Sequence, residues 1–145
     1  MVAQMIRKHG VFIQYVGGDR DDVPPSFAYT VGLFGLGHPE LVVTSVDPGT
    51  ASGLLNHLAD QVRRGDNLVP GQLLTFDDWS HRLVIEELPN AGAVLLAANR
   101  HYRRPPEASV EAFQLTYDDR GGRFPWDDGY ANGPHIQPRP GRWCA

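Results

Sequence analysis

The stretch Phe27-Ala-Tyr-Thr-Val-Gly-Leu33 constrains the fold more than any other part of the chain. Its period is two. Phe27, Tyr29, Val31 and Leu33 fall on one face of a strand, and Ala28, Thr30 and Gly32 fall on the other. The bulky face is a core face. The face of small residues admits a second backbone, a helix or a ligand at close range. The strand leads into a Gly-rich loop and then into His38-Pro39-Glu40, so a backbone turn and two titratable side chains converge there.

The rest reads as short elements between turns. With 16 Gly and 12 Pro in 145 residues, breakers are frequent. Residues 11–16 and 41–46 are apolar, β-rich runs, and residues 19–25 form a charged loop closed by Pro24-Pro25. Asp47 as N-cap, Pro48 at the first helical position, and Ala51, Leu54, Leu55, Leu58, Ala59 and Val62 at helical spacing predict a helix over 48–64. Gly65 supplies its left-handed end. Residues 72–76 and 82–88 read as paired strands around Asp77-Asp78-Trp79-Ser80. Asn90 can cap a helix over 91–102, although Val94-Leu95-Leu96 also suits a strand. Residues 112–117 alternate as a further strand, and turns follow from Asp118. No βαβ rhythm appears. The expectation is one α+β domain over 1–145, with its core at about 10–140, two helices, and a mainly antiparallel or mixed sheet, barrel-like if it closes.

Charge and cysteine content narrow the function classes. A net charge of −4 without a basic stripe argues against nucleic acid. No run approaches the ~20 apolar residues of a membrane span. Cys144 is the single cysteine, which excludes an intrachain disulfide and fits a reducing cytoplasm. Residues 1–16 carry no signal-peptide pattern.

Phe27-Ala-Tyr-Thr-Val-Gly-Leu33, His38-Pro-Glu-Leu41, Leu55-Asn56, Gln114-Leu115 and Gly122-Arg-Phe-Pro-Trp126 occur here in one order. In this the chain resembles a bacterial family, the domain of unknown function 4262, from roughly residue 10 to 140. The resemblance implies a small bacterial domain and no particular reaction.

Several constellations are candidates for chemistry. His38 and Glu40, two apart on a loop between strands, suit an acid/base pair, with metal ligation or simple structural pairing as alternatives. Thr30 and Gly32 face the small side and would meet a ligand lying there; Asn56 flanks the helix stripe. Trp126 sits in Arg123-Phe-Pro-Trp-Asp127, among Asp118, Asp119, Asp127 and Asp128. Those acids lack the spacing of a calcium loop, and the glycines lack that of a phosphate loop, so no metal site is assigned and the cofactor is unknown.

Two function classes follow. The first is a small-molecule binding or catalytic domain, with catalytic His38 and Glu40 and ligand contacts from Thr30, Gly32, Asn56 and Trp126. Its flavin variant rests on element order similar to flavin-binding split barrels, with Thr50 at the helix start meeting a phosphate. The second is a non-enzymatic module of immunity type, binding a protein partner or a second copy of itself.

Overall fold

The strand expected over 27–33 forms at Phe27–Val31, and all five of its residues are buried. In the computed structural model, which describes residues 2–17, 25–134 and 136–144, it is the second strand of a six-stranded sheet. Helix α1 (Val2–His9) precedes strands β1 (Phe12–Val16), β2 (Phe27–Val31) and β3 (Glu40–Thr44). Helix α2 (Pro48–Arg63) follows, then β4 (Leu73–Leu74), β5 (Leu83–Glu87), helix α3 (Leu96–His101) and β6 (Ala112–Tyr117). The charged loop expected over 19–25 lies outside the described residues as far as position 24.

The sheet order is β1-β2-β3-β6-β5-β4, antiparallel throughout except for the parallel pair β3–β6. The fold is therefore α+β with a mixed sheet, but the sheet is open. Barrel closure is corrected: β1 and the two-residue β4 stay at opposite edges. Elements on both faces bury the sheet instead. On one face Ala28, Leu41, Val43, Ile85 and Leu115 meet Leu54, Leu55 and Leu58 of α2. On the other, Phe27, Tyr29, Val31 and Val42 meet Leu95 and Ala98 around α3, with Ile6 of α1 and Trp143 alongside.

The small face of β2 is thus occupied by a helix. Ala28 lets α2 approach closely, and the two elements pack against each other. Leu33, expected among the bulky residues, joins the α2 side. The alternation ends one residue earlier because Gly32 has φ 138°, a conformation open to glycine.

Helix α2 follows the sequence signals closely. The Asp47 carboxylate accepts the Thr50 N–H at 2.9 Å and Pro48 occupies the first turn. At the other end Gly65 (φ 104°) donates to the Val62 carbonyl, and Asp66 N–H reaches the Gln61 carbonyl at 3.0 Å, a Schellman closure. Three elements differ from expectation, the first being the strand expected over 72–76, which is only Leu73–Leu74. α1 adds a third helix, amphipathic through Val2 and Ile6. The helix expected over 91–102 is split, with a 3₁₀ turn at Ala91–Ala93 and α3 beginning only at Leu96.

The C-terminal segment is sewn onto β6 by two buried glutamines. The Gln137 side chain accepts from Tyr117 N–H and donates to Tyr117 C=O, both at 2.8 Å, imitating a neighbouring strand. Gln114 donates to the Pro138 carbonyl at 2.8 Å and accepts from the Trp143 indole N–H at 3.0 Å. Gln137→Ala leaves both polar groups of Tyr117 without partners. It is expected to lower the unfolding free energy by about 2–3 kcal/mol, read from urea denaturation.

Candidate functional site

Glu40 opens β3, and its side chain is fully buried. Four donors converge on its carboxylate. Thr30 Oγ1 donates to Oε1 at 2.8 Å and Leu33 N–H to the same oxygen at 3.0 Å. Gly32 N–H and Phe34 N–H donate to Oε2 at 3.0 and 3.1 Å. Thr30 Oγ1 accepts in turn from Leu41 N–H at 2.9 Å. The structure thus brings Thr30, Gly32 and Glu40 together, and the protein's own groups fill both carboxylate oxygens. Burial pushes the Glu40 carboxyl above its ordinary range, and the four hydrogen bonds pull it part of the way back.

His38 looks elsewhere. Its Nδ1 lies 2.7 Å from the Pro39 carbonyl, and its Nε2 lies 3.2 Å from Leu68 N–H. A carbonyl only accepts and an amide N–H only donates, so the ring is the neutral Nδ1–H tautomer. It stands edge-on to Phe113, with centroids 5.8 Å apart. Both ring nitrogens are engaged with backbone, and no hydrogen bond joins His38 to Glu40.

The other sequence candidates are scattered. Asn56 is exposed on α2 and donates to Ser52 Oγ one turn back, at 3.2 Å. Trp126 is 47% exposed, stacks on Phe124 at 4.9 Å, and lies beneath the Arg139 guanidinium at 5.1 Å. It borders a separate groove of about 910 Å³ with Val84, Arg139 and Arg142. The acids around it organise backbone. Asp119 accepts from the N–H groups of Gly121, Arg123 and Ala131, and those of Arg123 and Ala131 hold its carboxyl below the usual aspartate range. Asp118 takes Arg82 Nε at 2.9 Å and His81 Nδ1 at 3.0 Å. Among the described residues no three His, Cys, Asp or Glu side chains are grouped to hold a metal ion.

A groove of about 760 Å³ opens between the start of α2 and residues 75–79. Gly49, Gly53 and His57, four apart, share the helix face that forms one wall. Phe76 and Trp79 form the other, with exposed Asp77 and Asp78 between them. The Phe76 and Trp79 rings are 5.9 Å apart and inclined at 58°, and His57 stands at 71° to Phe76. Thr50, the residue expected against a phosphate, also lines this groove, but its N–H and hydroxyl are both taken by Asp47. Sequence reasoning treated residues 77–80 as a strand connection and missed the wall that they make. The legible signal was the pair of glycines, four apart, at the edge of an otherwise regular helix.

A family model described as "Domain of unknown function (DUF4262)" matches residues 5–131. The chain belongs to the DUF4262 family. No curated protein and no solved structure matches it. The matched span of this DUF4262 domain covers all six strands and the three helices apart from the first residues of α1.

Two outcomes are expected of the isosteric Glu40→Gln variant of this DUF4262 domain. The amide turns one acceptor into a donor facing two donors, so unfolding free energy should fall by about 2–4 kcal/mol. Folding raises the Glu40 carboxyl above its ordinary value of 4.5, because burial disfavours the charged form. Its contribution to stability is therefore fully present below that value and is lost as pH rises through the folded one. The gap between wild type and Glu40→Gln should be widest under acid conditions and narrow with rising pH, as followed by denaturation at a series of pH values.

Proposed function

We propose that this domain binds a small molecule in the groove between the start of α2 and residues 75–79. The observation that carries the reading is the corner formed by Phe76 and Trp79 opposite Gly53. Ligand sites combine apolar and aromatic walls with a few polar groups, in volumes of about 300–1,000 Å³. The groove has that make-up at about 760 Å³. Gly53 adds weight. A glycine inside a helix costs about 1 kcal/mol relative to alanine, and a Cβ at Gly53 would meet nothing within 4 Å. Packing within the chain does not require it, whereas an open groove does.

In this reading the His38–Glu40 segment is architectural. It fixes the turn after β2 and leaves α2 seated on the sheet, and the ligand contacts come from α2 and Trp79. Fragment screening by amide chemical shifts tests the site. Hits should move Gly49, Gly53 and the Trp79 indole together. Gly53→Leu should abolish those hits while the protein stays folded, and Gly53→Ala should raise stability by about 0.5–1 kcal/mol. Hits that instead cluster on His38 and Leu68 would sink the proposal.

A second reading concerns the Trp126 face. A half-exposed tryptophan held between Phe124 and Arg139 has the composition of a protein-docking hot spot. Capture of one stoichiometric partner that is lost in Trp126→Ala would support this reading; equal capture by both proteins would remove it.

A further inference from the structure

We propose that the ligand of the α2 groove is an organic ammonium cation, held against the faces of Phe76 and Trp79 and balanced by Asp77 and Asp78. The inference rests on the small-molecule reading above and names its chemical class.

Three observations lead there. The first is ring geometry. Phe76 and Trp79, inclined at 58°, and His57, at 71° to Phe76, meet as walls of a corner. Aromatic faces are electron-rich, and rings set at an angle can hold one cationic group between them. The Trp79 indole is in turn packed against Tyr117 at 6.1 Å and His81 at 5.0 Å.

The second is charge. The lining contains Asp77 and Asp78 and neither lysine nor arginine. The start of α2 would ordinarily favour an anion, but the Asp47 carboxylate already takes the Thr50 N–H at 2.9 Å and hydroxyl at 2.7 Å. A phosphate or carboxylate ligand would meet Asp77 and Asp78 and neither lysine nor arginine among the lining residues, with Asp47 already capping the helix start.

The third is the type of cation. A bare metal ion needs several oxygen or nitrogen ligands on one centre, and among the described residues no such group exists. Aromatic carbon cannot supply them. An alkylated ammonium, which presents carbon and a diffuse charge, matches both the rings and the acids.

The test uses the full chain, with choline chloride as probe and its neutral isostere, carbon replacing nitrogen, as control. Binding is read from the Trp79 indole and the Gly53 amide, with Trp126 and Trp143 as internal references. Choline should shift both groove resonances, and the isostere should bind about tenfold more weakly. The exposed pair Asp77→Asn with Asp78→Asn should weaken choline by about threefold at low salt and leave the fold unchanged. Trp79→Leu should abolish binding. Should that variant unfold, the aspartate pair still decides. Equal binding of the isostere, or fragments that occupy the groove while choline does not, would overturn the cation class and leave the groove reading intact. If neither choline, nor the isostere, nor any fragment touches the groove, both fall together.

Discussion

A fully buried carboxylate, with no cation beside it among the described residues, is the constraint from which the rest of this structure follows. Glu40 stands at the start of β3, opposite Ala112 of the parallel partner β6 and two residues before the antiparallel pairing with β2 begins at Val42. Burying an ionisable group there is costly, and the cost is offset only while four donors stay in place. Those donors come from the end of β2 and the turn after it. One side chain therefore ties strand end, turn and next strand into a single unit. The same arrangement places Leu33 under α2 and orients Thr30 to cap Leu41 N–H.

In the proposed reading, architecture and candidate chemistry lie apart. The sequence block with the strongest appearance of an active site, Thr30 through Glu40, satisfies itself internally. His38 engages backbone on both ring nitrogens and Glu40 on both oxygens. One open groove lies at α2, where Gly53 and His57 face Phe76 and Trp79. The helix links the two regions. Its apolar stripe rests on Ala28, Leu41 and Val43, and its glycine-bearing face borders the groove.

Legibility in the sequence followed local chemistry. Helix α2 was readable at both ends, because Asp47, Pro48 and Gly65 act on backbone within one turn of themselves. Strand β6 was readable because residues 112–117 alternate without interruption. α1 was not, since an eight-residue helix anchored by Val2 and Ile6 has little periodicity to display. α3 began late because its N-terminal part winds as 3₁₀. The two buried glutamines and Glu40 were illegible as structural pins, for each draws its partners from residues distant in sequence or from backbone. The small face of β2 was seen correctly as a place of close approach, but only tertiary structure shows that a helix fills it. The groove escaped for the same reason, because its two walls are separated in the chain by the rest of α2 and by β4.

The claim that Glu40 is a structural pin can be tested by amide hydrogen exchange in the native protein at Gly32, Leu33 and Phe34. These three N–H groups donate to one carboxylate and lie outside the sheet ladder. The account predicts protection equal to that of the β3 amides, so that all exchange only through global unfolding. Exchange at these positions that is orders of magnitude faster than in β3 would show a carboxylate free to let go of its loop, and would contradict the account.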